Sequence, residues 1–159
     1  MRSRGLTFDH ARLRQERLQR REQAGGGWTL DDAARRMGAS ETSVMYWEKG
    51  SRMPGPRHLQ ALCRVYGLEP WDLMPPPPEG PRLLDLRMRS CLTQQQVADR
   101  LQVGQSSYSH AEIGRKPLTA THARQLARLW RLPVDVVVEA SKRSDRGRRR
   151  SEHAQAPGA

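Results

Sequence analysis

The stretch WTLDDAARRMGASETSVMYWEKGSRMP, residues 28–54, decides the fold, because the chain writes it twice. Shifting the sequence by 64 sets residues 29–73 on 93–137 without a gap, and 10 of the 45 positions are identical. Among them are Thr29/Thr93, Ala34/Ala98, Ser43/Ser107, Glu48/Glu112, Gly50/Gly114 and Leu62/Leu126. A fixed internal period of this kind sets the architecture before any single element is considered. The apolar spacing repeats as well. Leu30, Ala33, Ala34 and Met37 fall at i, i+3, i+4 and i+7, one face of a helix. Val97, Ala98 and Leu101 hold the same places in the second copy, with Gln94 in place of Leu30. Further on, Leu59, Leu62, Cys63 and Tyr66 are matched by Ala123, Leu126, Ala127 and Trp130.

Start and stop signals frame these stripes. Thr29 and Thr93 stand just before the first stripe of each copy as N-caps. A shorter helix follows, with Ser40 as its cap, Val44 and Trp47 pointing inward, and Gly50 as a left-handed end before Pro54. In the second copy Tyr108 and Ala111 point inward, Gly114 ends the helix, and Pro117 follows. Each unit therefore reads helix, tight turn, helix, loop and further helices. No alternating run of β-branched residues asks for a sheet, and Val134–Val138 is expected to be a short helix because it matches Pro70–Met74. The fold class is all-α: two small tandem helix-turn-helix domains of about five helices each, over residues 11–74 and 82–140. Pro75-Pro76-Pro77-Pro78-Glu79-Gly80-Pro81 joins them, and its prolines predict a polyproline II spacer of roughly 20 Å. Residues 11–24 predict a helix halted by Gly25-Gly26-Gly27. Residues 1 to about 10 and the basic tail 141–159 read as disordered.

Composition bounds the function. The chain has 159 residues with 28 Lys+Arg, 25 of them Arg, against 17 Asp+Glu, a formal charge of +11. Such an excess argues for a polyanionic partner. It is unevenly spread: residues 29–74 are neutral, whereas 1–28, 82–140 and the tail from 141 each carry +4. With 36% apolar and 5% aromatic residues, small helical cores fit better than one large core. Two cysteines make no disulfide framework, which suggests a reducing compartment, the cytoplasm beside the nucleoid. The Arg-rich start is not a signal peptide, and no run of 18 apolar residues predicts a membrane span. His58 and His122 are equivalent but lack a second ligand at i+3 or i+4, so a polar helix-start role is expected rather than metal binding. Cys63 reads as a small core hydrophobe and Cys91 as a turn residue. Gly25-Gly26-Gly27 lacks the strand and the lysine of a phosphate-binding loop. Neither catalysis, a cofactor, a metal nor a small-molecule ligand is expected.

TQQQVADRL at 93–101 and SSYSHAEIGR at 106–115, ending in Lys116-Pro117-Leu118-Thr119, resemble the Cro/lambda-repressor-like (XRE) helix-turn-helix family. Residues 28–54 resemble it a second time, and the two copies cover most of residues 11–140. The resemblance implies double-stranded DNA as partner and the second motif helix as the major-groove reader. A helix fits that groove with its N-terminal residues at the base edges. The reading positions are then Glu41, Thr42, Ser43, Met45 and Tyr46 in the first unit, and Gln105, Ser106, Ser107, Ser109 and His110 in the second. Gln105 suits a bidentate contact to adenine and His110 a donation to guanine. Glu41 can accept from cytosine, although an acid in a first helical turn is equally explained by the helix dipole. Phosphate contacts are expected from Lys49, Arg52 and Arg57, and from Gln94, Arg115, Lys116 and Thr119 with Thr121 nearby. Gln94 is the family's helix-start phosphate contact, which Leu30 cannot make. The family also implies that Glu112 pairs with Arg87 on the unit's first helix. For Glu48, Arg17, Arg20 and Arg21 are alternatives, since Leu18 stands eleven residues before Thr29 while Leu86 stands seven before Thr93.

The two reading sets differ in chemistry, so the two units should read different half-sites, and the first motif, neutral over 29–74, should dock less strongly by itself. The chain could set both helices one DNA turn apart by itself, or pair with a second copy. A reading from another class is a docking module, antitoxin- or adaptor-like, in which one or both units no longer read DNA. Trp130, Val134, Val136, Val137 and Val138 would then supply a partner surface. Non-specific packaging through the basic tail ranks last, because it leaves two patterned reading helices without purpose.

Overall fold

Ten α-helices and no strand are found among residues 7–155, the part of the chain that the computed structural model describes. They divide into two compact units, one over Thr7–Pro75 and one beginning at Pro76.

The first unit holds α1 (His10–Gln23), α2 (Leu30–Met37), α3 (Glu41–Glu48), α4 (Pro56–Tyr66) and α5 (Pro70–Leu73). Asp9 caps α1 by accepting from Arg12 N at 2.8 Å. Thr29 closes a capping box with Asp32 at the start of α2, which Gly38 ends in the left-handed conformation. Ser40 caps α3 by accepting from Ser43 N, and Pro56 opens α4 at a position that needs no amide hydrogen. Leu13, Ala33, Val44, Leu59, Leu62 and Leu73 are fully buried and meet in one core. Each large side chain removed from water in this way contributes about 1.5–3 kcal/mol. Trp28 lies beneath the guanidinium groups of Arg36 at 4.9 Å and Arg20 at 5.8 Å, so those two charges serve packing.

The second unit repeats the plan with α6 (Leu83–Arg89), α7 (Gln94–Leu101), α8 (Gln105–Glu112), α9 (Ala120–Trp130) and α10 (Val134–Gln155). Thr93 and Gln96 form the capping box of α7, and Thr119 caps α9. Leu83, Leu86, Val97, Tyr108, Leu126, Val137 and Ala140 are buried. In the first unit α3 packs on α1 and α2, whereas in the second α8 packs on α7 and α10.

Several expectations need correction. The tail is no disordered segment as far as Gln155, because α10 runs on from Val134 for 22 residues. It does so because Ala140 and Ser144 are buried one turn apart, continuing the apolar face of Val137 past the point where composition turns polar. Ser144 Oγ, accepting from Leu83 N at 3.3 Å, ties the helix to α6. Phe8 and Asp9 are likewise not loose. Phe8 is buried, and Asp9 N donates to Leu73 O at 2.7 Å; residues 1–6 lie outside the described part. The proline stretch is no straight rod, since Gly80, at φ +94°, turns the chain so that its amide reaches Pro77 O at 2.8 Å. Leu18 is exposed and not the counterpart of Leu86. The buried residue one turn before the arginine is Leu13 in α1 and Leu83 in α6, which places Arg17 opposite Arg87. Trp130 and Val137 belong to the core and are not available as a partner surface; Val134 is exposed, and Val136 and Val138 are half-buried.

Candidate nucleic-acid interface

The second helix of each motif is positioned by a buried carboxylate at its C-terminal end. Glu48 accepts from Arg17 Nε at 2.6 Å and Nη2 at 2.9 Å, a fork-to-fork pair that anchors α3 to α1. The bond to Glu48 is the main cause that raises the Arg17 pKa, against the opposing effect of burial. Among Arg17, Arg20 and Arg21 the structure thus selects Arg17. Glu112 sits deeper. It accepts from Arg87 Nε at 2.5 Å and Nη2 at 3.2 Å, from Gln94 Nε2 at 2.7 Å, and from the Tyr108 hydroxyl at 3.2 Å. Arg87 spends its remaining Nη1 on Leu92 O at 2.8 Å, so the turn between α6 and α7 joins the network. Burial first, and the Glu112 carboxylate second, push the Tyr108 phenol up, which keeps it a donor.

With its carboxylate end held, each helix turns a defined face outward. On α3, Glu41 and Thr42 are exposed, and Ser43, Met45 and Tyr46 are half-buried. The Ser43 hydroxyl lies 2.8 Å from that of Ser40, which commits it to the helix start. The Arg52 guanidinium stacks over the Tyr46 ring at 5.2 Å. On α8, Gln105, Ser106 and His110 are exposed, and Ser107 and Ser109 are half-buried. Ser107 Oγ accepts from Lys116 Nζ at 3.3 Å, and Ser109 Oγ from Gln94 Nε2 at 3.5 Å. The outward groups with no such commitment are therefore Glu41 and Thr42 in one unit and Gln105, Ser106 and His110 in the other.

The basic loop residues flank these faces. Lys49 and Arg52 in the loop after α3 and Arg57 in the first turn of α4 are exposed, and Arg115 and Lys116 are exposed after α8. The loop after α8 is folded back, because the amides of Arg115 and Lys116 both donate to His110 O, at 2.8 and 3.2 Å. Thr119 is exposed, and its Oγ1 accepts from His122 N at 3.1 Å, leaving the hydroxyl hydrogen for a phosphate. Gln94 differs from its expected role: its amide is directed to Glu112 and Ser109, so it braces the reading helix from within the unit. Sequence reasoning missed this, and missed Tyr108 as a Glu112 donor. The available signal was a paired change, Leu30 to Gln94 and Val44 to Tyr108, that adds two donors to one copy.

The remaining polar candidates have structural surroundings. His58 lies against Trp47, ring centroids 5.1 Å apart, and His122 sits in the capped first turn of α9. Cys63 is buried, and Cys91 occupies a turn at φ +54°. Among the described residues no three His, Cys, Asp or Glu side chains group to hold a metal ion, and no helix is long and apolar enough to cross a membrane.

Comparison with known families agrees with this geometry. A family model described as the helix-turn-helix domain matches residues 11–74 and again residues 80–140. Curated proteins and solved structures yield no match. Two buried-glutamate helix-turn-helix units, each matched along its length, carry the general design of DNA-binding regulators, and the chain belongs to the helix-turn-helix domain family.

Proposed function

We propose that this protein is a sequence-specific, double-stranded DNA-binding transcriptional regulator of the Cro/lambda-repressor-like kind. It reads the major groove with α8 and, to a lesser degree, α3. One observation carries the reading: each motif's second helix is locked by an arginine–glutamate pair, part-buried in the first unit and buried in the second, turns uncommitted polar side chains outward, and is followed by an exposed basic loop. Phosphate contacts from the loops position the helices, and base-edge contacts specify the site. Gln105, Ser106 and His110 read for the second unit, and Glu41 and Thr42 for the first, with Tyr46 beside them under the Arg52 guanidinium. The first unit, net +2 over residues 7–75 against +7 over residues 76–159, adds specificity more than affinity, since phosphate attraction scales with the cations presented. A second copy of the chain is not required to present two reading helices.

Selection from a pool of randomised duplexes, followed by footprinting, tests this. The expected result is one enriched, non-palindromic motif whose length reports engagement of two units. Binding that enriches no motif and varies with salt alone would overturn it.

A further inference from the structure

Gly114 ends the reading helix α8 at φ +77°, and a Cβ placed on it would lie 2.5 Å from both N and Cα of Asp145. The backbone of α10 is therefore seated directly against the end of α8, at a distance that only glycine permits. Beyond this crossing, α10 and the loop after α8 enclose a cleft of about 610 Å³ whose walls include Arg115, Lys116, Lys142 and Arg149. Lys142, Arg146 and Arg149 stand at i, i+4 and i+7, one face of the helix, with side chains 60, 66 and 68% exposed. Over that interval the helix rises about 10 Å, the axial length of roughly three phosphates on one strand. Their acidic neighbours, Glu139 and Asp145, lie on the same helix in solvent-facing pairs, which are weak and yield to a phosphate. A mobile tail offers only non-specific attraction, whereas cations on a helix fixed to the reading helix are held in register with it.

We propose that α10 is a third element of the DNA interface, in which Lys142, Arg146 and Arg149 contact phosphates flanking those bound by Arg115 and Lys116. The inference rests on the DNA-binding reading above. It makes the second unit's footprint longer on one side than the motif alone would, and the described part of the first unit contains no counterpart.

The test uses the full chain carrying Lys142→Gln, Arg146→Gln and Arg149→Gln together. A charge-matched control carries Arg100→Gln, Arg128→Gln and Arg131→Gln, exposed residues at or just beyond the last turns of α7 and α9 that do not line the cleft. Binding to the selected duplex is measured between 50 and 200 mM salt, with hydroxyl-radical footprints of each complex. For the α10 variant, the slope of log affinity against log salt is expected to fall by about 0.9 for each phosphate no longer neutralised, roughly two to three in total. The flanking protection disappears with an unchanged base preference, and the control retains both. An α10 variant matching the wild type, or one no weaker than the control with an intact footprint, overturns the inference while leaving DNA recognition standing. A wild-type chain that binds no duplex overturns both. Far-ultraviolet circular dichroism of each variant confirms that α10 is still helical.

Discussion

The two units share a plan and 10 aligned identities, yet they secure their reading helices by different means. In the first, a 14-residue α1 reaches past the glutamate, and the His10 ring lies over Gly50, 3.0 Å from where a Cβ would be. In the second, α6 has only 7 residues and starts one turn before Arg87, so that place is taken by the backbone of α10. The glutamates differ in the same sense. Glu48 has the two donors of one arginine, and Glu112 has four donors from three residues. The second unit compensates a shorter first helix with a denser polar network and a longer last helix. A repeat thus conserves the position of the reading helix, and the means of holding it are free to diverge.

The largest expected difference comes from removing the glutamates. Glu112→Ala leaves Arg87, 8% exposed, without its charge partner and strands Gln94 and Tyr108, a loss of about 3–5 kcal/mol. Glu48→Ala strands Arg17 alone, which at 13% exposure has more access to water, and is expected to cost about half as much. Amide hydrogen exchange separates the units, reading α7–α9 in one variant and α2–α4 in the other. Equal losses would break the comparison.

Next in size are the paired glycines. Alanine at either position meets the left-handed backbone penalty of about 1–2 kcal/mol. Gly114→Ala must also push α10 off α8, adding about 1–3 kcal/mol of overpacking, whereas at Gly50 a side chain can swing aside. Gly114→Ala is expected to raise exchange throughout the distal half of α10; protection there as in the wild type would show that the helices are not in contact.

Smaller effects follow from the helix ends. Gly38 and Gly67 end α2 and α4 at φ +63° and +69°, and their equivalents Gln102 and Arg131 end α7 and α9 at +56° and +54°. Gln102→Gly and Arg131→Gly should each stabilise the second unit by about 0.5–1 kcal/mol, the relief of strain being partly offset by a freer unfolded chain, and Gly38→Ala should destabilise the first by the left-handed penalty alone, about 1–2 kcal/mol. Urea midpoints report the signs, and a destabilising Gln102→Gly would mean that its side chain contributes something besides backbone geometry.

Protonation gives the smallest contrast. Hydrogen bonds from the Thr29 side chain and then its backbone hold the Asp32 carboxyl below its ordinary range. Its contribution is present above the unfolded value near 3.9 and is lost as pH falls through the lowered folded value. Asp85 is shifted the other way: burial outweighs the bond from Arg82 N and raises it. Its charged form therefore costs the second unit stability as pH rises from about 3.9 through the raised value. Stability against pH should lose its acid-side drop in Asp32→Asn and gain at neutral pH in Asp85→Asn. Profiles that superimpose on the wild type would remove this distinction.

Much of this protein was legible in its sequence because its signals are local. Thr29, Ser40 and Thr93 act within three residues of themselves as caps, and the stripes from Leu59 and Ala123 are periodic whatever they pack against. The 64-residue shift brought both reading helices into register, and the Arg87–Glu112 pair followed from the family resemblance. What the tertiary structure alone decided depends on distant residues. Arg17 rather than Arg20 meets Glu48 because Leu13, not Leu18, turns into the core, a choice that the weakly amphipathic α1 does not reveal by its periodicity. Gln94 turns inward because Tyr108 and Arg87 gather a buried carboxylate 18 residues away. The polar segment after Ser141 has too few apolar residues to declare itself a helix. It becomes one because Val137, Ala140 and Ser144 find a surface on α6 and α8, and because Gly114 leaves room for the backbone of α10 to sit there.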